Sequence, residues 1–468
     1  MQSCLGMIVK TLFRYEGRLC PGEVEVNLIP GIPHLQVIGL PDAHIKECGL
    51  KLRSALRSCG LKWPQGHQIV VNLRPSYFRK SSSGADLAIA LAFLSLTGQL
   101  SDEVKERLGG CVVYGEISLD GKAFAPSDLP SALRTADAMI LTGEAGPRIR
   151  EGNWLELKSI SSPSLRAVSR QFDWKGFWRE PEIPDIQIHA NAAEALLLAL
   201  HCQLNVLVTG PQGTGKTTWA RALYSLTASP ETEKVGELEE MFGEDVLESR
   251  WRPCEIPHHS ISALGMVGGG SPITPGVISR SNGGVLIMDE FLEFKGQVLE
   301  ALREPVETGH VVIARKGDRV TFPASFQLVG TSNLCPCGQK SPGSDSCPTN
   351  RFKCRKTIDR LSGPVIDRFD ILVFSDIWTK QNPRVPLLSL RDRLKRMQEF
   401  RVKRGEHPQN IPVWVQGLEV SHRRRRSLLR VARGLADLRG SPTVEDLDFN
   451  EAYQKVIAPM ETLRQLFA

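Results

Sequence analysis

No apolar run in this 468-residue sequence approaches the roughly 20 residues that a membrane-spanning helix needs. The N-terminus also lacks the apolar stretch of a signal peptide. These absences argue against a helical membrane protein and set the expectation of a cytoplasmic chain with no membrane partner. Charge of one sign is scarce too: 58 Lys and Arg stand against 52 Asp and Glu, leaving +6 and a pI near 8.7. A bulk nucleic-acid coat would be far more basic, so any grip on nucleic acid must come from local patches. A disulfide framework is not expected. In a reducing compartment the eleven cysteines are thiols, and a cluster of them points to metal. Hydrophobic and charged contents of 41% and 24% are ordinary for a globular chain. The length fits two to four domains at about 150 residues each.

What the sequence does have is Gly210-Pro211-Gln212-Gly213-Thr214-Gly215-Lys216-Thr217, which meets the phosphate-loop pattern G-x-x-x-x-G-K-[ST] at every fixed position. Asn205–Thr209 before it reads as an apolar strand, and Thr218–Leu223 after it reads as the opening of a helix. Glycines let the backbone turn so that successive N–H groups face the phosphates. The helix N-terminus adds partial positive charge at the same place. Lys216 would neutralise phosphate, and the Thr217 hydroxyl would hold Mg²⁺. Residues 210–217, with Thr218 behind them, are thus the expected ATP site.

A second motif, Gly284-Val285-Leu286-Ile287-Met288-Asp289-Glu290, is four apolar residues ending in two acids. A buried strand of this kind delivers carboxylates to its C-terminal edge. Asp289 would order the Mg²⁺ shell, and Glu290 would orient or deprotonate the attacking water. Its distance from Lys216 suits a later strand of the same nucleotide-binding core. Further on, Gln327–Ser332 reads as a strand ending at the polar Asn333. Glu304–Phe322 alternates like a hairpin, with Lys316 and Arg319 near its tip able to meet nucleic-acid phosphates.

The first 165 residues read as a separate α+β region. Gly22–Asn27 and Gln68–Leu73 have strand patterns, and Asp42 is placed to cap a helix to about Ser58, ended by Gly60. Ala85–Thr97 is an apolar helix, and Val112–Ile117 with Asp120-Gly121 reads as a hairpin. Residues 172–185 form a Trp- and Pro-rich connection. Cys335, Cys337, Cys347 and Cys354 form C-x-C-x₉-C-x₆-C. Four thiolates this close suit a tetrahedral structural Zn²⁺, though C-x-C is tighter than the usual spacing, and four unliganded cysteines remain the alternative.

Gly39-Leu40-Pro41-Asp42, Val71-Asn72-Leu73-Arg74-Pro75 and Gly84–Leu91 resemble the N-terminal domain of the ComM/YifB family, the Mg-chelatase-like AAA+ proteins. With the later motifs the resemblance runs from about Gly22 to Leu438. It implies an α/β protein: a Lon-protease-like N-terminal domain (1–165), a linker (166–187), a parallel-sheet AAA+ core with chelatase-type insertions (188–375) and a small helical lid (376–468). Lon-type domains carry a Ser-Lys dyad, but the nucleophile aligns near Gly84 or Ala85, neither of them nucleophilic. Ser81, Ser82 and Ser83 beside Lys80 read as turn residues.

The resemblance also assigns roles. Asn333 stands at sensor 1, which helps hold water against the γ-phosphate. Asp367-Arg368-Phe369-Asp370 carries the arginine finger, so Arg368 would reach a neighbouring subunit's ATP, a task suited to a planar, permanently charged guanidinium. Pairing with Asp367 or Asp370 is the alternative. Val420-Ser421-His422-Arg423 matches sensor 2, with Arg423 over the γ-phosphate of its own subunit. The run Arg423–Arg426 is a basic patch or else a solvated helix face. Pro257-His258-His259-Ser260 and Gly268-Gly269-Gly270 resemble an insert facing a central pore; on a strand the two histidines would point opposite ways. The chain departs from the family at His189-Ala190, at Leu334, at Gln212 and in a short stretch between Asp370 and Ser421. The family implies a hexameric ATPase driving branch migration when incoming single-stranded DNA recombines in natural transformation, with recombination proteins as further partners. A magnesium-chelatase motor subunit and an AAA+ regulator acting on protein are the alternatives.

Overall fold

Strand and helix segments in the computed structural model sort into two compact units. The structure describes residues 6–15, 18–41, 43–77, 80, 84–146, 149–242, 250–270, 273–315, 318–340, 342, 361, 363–375, 383–405 and 410–465. The first unit is Met1–Gly176 with Glu239–Glu244 and Ala314–Thr321; the second holds the rest.

In the first unit β1 (Met7–Tyr15), β2 (Arg18–Pro30), β3 (Leu35–Ile38) and β4 (His67–Arg74) form a sheet in the order β1-β2-β4-β3. Alternation sends Val9, Val24, Val26, Ile69 and Val71 to one face, where α1 (Ala43–Ser58) and the almost wholly buried α2 (Ala85–Leu96) cover them. The expected strands and both helices are thus present; Asp42 lies outside the described residues. A second sheet follows the order β10-β9-β8-β5, from β5 (Cys111–Val113), β8 (Met139–Thr142), β9 (Gly152–Glu156) and β10 (Arg166–Arg170).

Two expectations need correction here. Val112–Ile117 is not one arm of a hairpin: β5 pairs in parallel with β8, and only β6 (Glu116–Ile117) turns back onto β7 (Ala123–Phe124). The apolar Cys111–Val113 is fully buried, and burial on both faces favours a parallel place. The linker is also narrower than 166–187. Arg166–Arg170 pairs with β9, and β11 (Gln187–His189) pairs with β21 (Arg384–Pro386).

The second unit is built on β12 (Val206–Thr209), β13 (Cys254–Glu255), β16 (Val285–Met288), β19 (Gln327–Ser332) and β20 (Ile371–Phe374), all parallel in the order β13-β16-β19-β12-β20. Two small pairs precede and follow β16: β14 (Gly268–Gly269) antiparallel to β15 (Thr274–Pro275), and β17 (His310–Arg315) with β18 (Asp318–Pro323), a hairpin shorter than expected because Glu304–Thr308 is helical. Lys316 lies outside the described residues.

The C-terminal helices are not a body apart. Leu387–Arg404, His422–Arg439 and Asp446–Val456 share one apolar core with the helix Ala190–His201 and strand β12. A buried ion network fastens them. Asp437 accepts hydrogen bonds from Arg404, Arg433 and the ring of His201. No helix among the described residues is long and apolar enough to cross a membrane.

Candidate functional site

The C-terminal edge of the parallel sheet is where the sequence motifs meet. After Thr209 the chain turns through Gly210, Gly213 and Gly215, all with positive φ, a backbone path that side chains with a Cβ resist. Gly215 then caps the helix Lys216–Ser225, which points its N-terminus into the turn. Gln212, Gly213 and Gly215 are exposed, so the loop's backbone faces solvent where a phosphate would arrive.

Lys216 lies back along this loop, buried, with Nζ donating to the carbonyls of Gly210 (3.0 Å) and Pro211 (2.7 Å) and to Oδ1 of Asn333 (2.9 Å). Burial pushes its ammonium pKa down, opposed by the charge of Asp289. The Thr217 hydroxyl donates to both carboxylate oxygens of Asp289, at 3.0 and 3.2 Å. A hydroxyl and a carboxylate at one point are hard oxygen donors, which fits a Mg²⁺ that keeps several waters. Lys216, Thr217, Asp289 and Asn333 thus form one cluster. Thr218 is exposed on the same helix.

Glu290 is different. Its backbone is left-handed (φ 54°), its side chain is 61% exposed, and its N–H donates to Thr331 Oγ1 at 3.2 Å. Oε2 lies 3.7 Å from Nδ1 of His259. His258 and His259 do not point opposite ways: they sit in a turn rather than a strand, and their rings stack with centroids 4.1 Å apart.

Sequence reasoning missed Thr331, whose hydroxyl bonds Asp289 and receives the Glu290 N–H. Strand alternation was the available signal, since residues two apart on β19 share a face with Asn333 beyond it. It also missed Ser375, whose hydroxyl meets that of Thr214 at 2.6 Å just past β20.

Arg368 and Arg423 lie elsewhere. Arg368 precedes β20, where its carbonyl accepts from Asn205 Nδ2, and Asn205 precedes β12. Both strands run four residues from there to the loop edge, a separation of about 13 Å. Arg423 Nη2 donates to the same carbonyl of Arg368 at 3.0 Å. This bond sets Arg423 beside the segment that leads into β20. The helix His422–Arg439, capped by the Ser421 hydroxyl on Arg424 N–H, starts at the opposite edge of the sheet.

Nor does Arg368 pair with its acidic neighbours. Asp370 is engaged by Asn205 N–H, Ser427 and Arg430, and Asp367 by Arg424 and Ser421. Arg368 Nε has no hydrogen-bond partner among the described residues. Burial, then the charge of Arg423, lowers its pKa. The run Arg423–Arg426 is not a solvated patch as a whole: Arg424 is buried on the carbonyls of Phe369 and Asp370, Arg425 binds that of Leu418, and only Arg426 is exposed.

Cys335 is buried and Cys337 half-buried, their sulfurs 2.9 Å apart, and Lys340 N–H donates to Cys335 Sγ at 3.3 Å. Cys347 and Cys354 lie outside the described residues. Among the described residues no three His, Cys, Asp or Glu side chains are grouped to hold a metal. In the first unit, a Cβ on Gly84 would stand 2.3 Å from the buried Tyr114 ring, Ala85 is fully buried, and the Lys80 amine donates to the Gly39 carbonyl. A serine nucleophile has no room there. Ser81–Ser83 lie outside the described residues.

A five-stranded parallel sheet with a phosphate loop after β12, next to its β20 edge, and with Lys, Thr, Asp and Asn converging on the loop, defines a Mg-chelatase-like AAA+ ATPase. Residues 182–382 match the family model for magnesium chelatase subunit ChlI, and residues 24–139 match a second ChlI model. The chain is 31% identical to YifB of Escherichia coli over 374 residues, 75% of this chain and 72% of that one. It is 31% identical to competence protein ComM of Haemophilus influenzae over 379 residues, with the same coverage. A 38 kDa magnesium-chelatase subunit of Rhodobacter capsulatus is 28% identical over 149 residues, 27% of this chain and 42% of that one. The chain belongs to the ComM/YifB family.

Proposed function

We propose that this chain is a ring-forming, ATP-driven DNA motor that promotes branch migration of recombination intermediates. The observation that carries the reading is the split of its arginines from its phosphate loop. Lys216, Thr217, Asp289, Glu290 and Asn333 gather at one edge of the sheet, whereas Arg368 and Arg423 stand together at the other. Among the described residues, Arg368 and Arg423 have no phosphate loop of their own subunit beside them. Repeating the contact head-to-tail closes a ring, for which six is the family number, and gives each loop the arginines of its neighbour.

In such a site Lys216 and the loop amides bind the β- and γ-phosphates, and Thr217 and Asp289 hold Mg²⁺, which neutralises developing charge. Asn333 positions water, Glu290 accepts its proton, and Arg368 with Arg423 stabilises the transferring phosphoryl group. DNA as the substrate rests on the likeness to ComM, a competence protein by name, and single-stranded or branched DNA is the expected partner. A Lon-like ancestry of the first unit, without proteolysis, and a structural Zn²⁺ at Cys335, Cys337, Cys347 and Cys354 belong to the same proposal. The convergence of the first two thiols and the amide on Cys335 Sγ support the metal.

Both family models name a chelatase subunit, which keeps magnesium insertion as the second reading. ATPase assays of the purified chain with single-stranded DNA, a four-way junction, a porphyrin with Mg²⁺, and unfolded protein separate the readings. DNA should raise turnover several-fold and the junction should be resolved. Stimulation by the porphyrin or by protein alone would overturn the DNA reading.

A further inference from the structure

One helix concentrates the positive charge of the chain. Leu387–Arg404 holds seven Lys and Arg against two Asp and Glu, so it alone carries +5 where the whole chain carries +6. Three of the seven are used within the protein. Arg391 pairs with Glu180 at 3.0 Å, Arg404 with Asp437 at 2.7 Å, and Arg401 donates to the His201 carbonyl. Arg393, Lys395, Arg396 and Lys403 make no hydrogen bond or ion pair among the described residues, and the helix's two acids, Asp392 and Glu399, leave them unpaired.

Leu387, Leu390, Leu394 and Met397 bury one side of this helix. Arg393, Arg396 and Lys403 follow one another at i, i+3 and i+10, which sets them on a common stripe of another side. Arg396 and Lys403 are exposed and Arg393 is half-buried. Two ordinary explanations fall short. A helix C-terminus favours cations, which accounts for Lys403 in the last turn but not for Arg393 and Arg396 in the middle. A solvated helix face gains from opposite charges a turn apart, whereas Arg393 and Arg396 stand at that spacing with the same sign and repel. Nor is this the fate of the other basic run, Arg423–Arg426, where Arg424 and Arg425 are spent on backbone carbonyls.

We infer that the stripe Arg393, Arg396 and Lys403 is a docking surface for the phosphate backbone of duplex DNA, which rests on the DNA reading above. The helix rises about 15 Å from Arg393 to Lys403, the length of about four base pairs. Unpaired cations along that length suit a row of phosphates, and each contact releases condensed counterions. A single strand is held by exposed aromatic side chains that stack its bases, and Phe400, the one aromatic residue of this helix, is half-buried. Contacts to phosphate position a duplex without reading its sequence.

The test measures binding of the full-length chain to short fluorescent duplexes of two unrelated sequences, and to a single strand of equal length, over a series of NaCl concentrations. One variant combines Arg393→Gln, Arg396→Gln and Lys403→Gln, since glutamine keeps the helix propensity and removes the charge. Its duplex affinity should fall about ten- to a hundredfold at about 0.1 M salt, equally for both sequences, and the log–log salt slope should shrink by about 2 to 3. Affinity for the single strand should stay within about threefold. ATPase activity without DNA and assembly followed by light scattering should match wild type. A second variant, with Arg393→Lys, Arg396→Lys and Lys403→Arg, should bind duplex as wild type does. Wild-type protein that binds neither duplex nor single strand would overturn the DNA motor reading itself. Wild type that binds duplex, beside a glutamine variant of equal affinity and slope, would overturn this inference alone. So would an equal loss on the single strand, or a glutamine variant that no longer assembles, which would make the stripe a contact between copies of the chain.

Discussion

Replacing Arg368 with alanine tests whether a site is completed across a subunit boundary. The Arg368 backbone carbonyl lies about one strand length, roughly 13 Å, from the loop of its own chain, so removing the side chain should leave ATP binding near wild type. Hydrolysis should fall by roughly 10³-fold or more, which is about 4 kcal/mol or more of transition-state stabilisation. Lys216→Ala should be inactive for the opposite reason, because its own loop no longer holds nucleotide. Mixing the two restores function at every interface that pairs an intact Lys216 with an intact Arg368. With equal amounts and random assembly that is about one interface in four, so steady-state phosphate release should return to roughly a quarter of wild type. Arg423→Ala gives a sharper contrast. If it acts on the neighbour, as its bond to the Arg368 carbonyl implies, mixing with Lys216→Ala rescues it too. If it acted on its own nucleotide, every loop with an intact Lys216 would lack it, and the mixture would stay dead. Wild-type turnover by Arg368→Ala, or mixtures no more active than their parents, would refute the reasoning.

Glu290→Gln should bind ATP and trap it, because Thr217 and Asp289, the proposed Mg²⁺ residues, are untouched; multiple turnover within twofold of wild type would refute its role. Asp437→Asn should lower the melting temperature by about 5–10 °C at pH 7, since it leaves Arg404 and Arg433 buried without their counter-charge. Burial works to raise the Asp437 pKa, yet the His201 and Arg404 hydrogen bonds and the charge of Arg433 hold it at about 2. Its contribution of about 2–3 kcal/mol is therefore complete above pH 4 and lost as pH falls towards 2, so the gap between wild type and variant should narrow over that interval in acid titrations followed by circular dichroism. Gly434→Ala should destabilise by about 1–3 kcal/mol, because its Cβ would stand 2.4 Å from Cys202 Sγ; a neutral result in urea unfolding would show that the helix can slide.

Local signals carried well from sequence to structure. The phosphate loop needs particular residue types at fixed spacing along one stretch of chain, so Gly210–Thr217 was readable without any fold. Asp289 and Asn333 were readable because buried strands end in polar residues at a ligand edge. Less legible was anything decided by distant partners. Arg423 had the right neighbours in sequence, but the edge of the sheet at which its helix begins is set by packing among Leu428, Val431, Leu435 and the helix Ala190–His201. Arg166–Arg170 read as linker because its five residues alternate weakly and become a strand only beside Gly152–Glu156. The two histidines were misjudged because the strand stops at Glu255, three residues before them. Thr331 was legible but unweighed.

Lys216 spends all three of its ammonium hydrogens on the protein: two loop carbonyls and the Asn333 amide. An arriving phosphate therefore exchanges for these partners rather than filling a gap. A ligand of low charge has little with which to displace two carbonyls and an amide, so the loop is biased towards polyanions before any contact with a base or sugar. The exchange also frees Asn333 at the moment Lys216 swings to the phosphate. With Asn333 in its proposed role, occupancy of the loop and release of the residue that would position water would be one event.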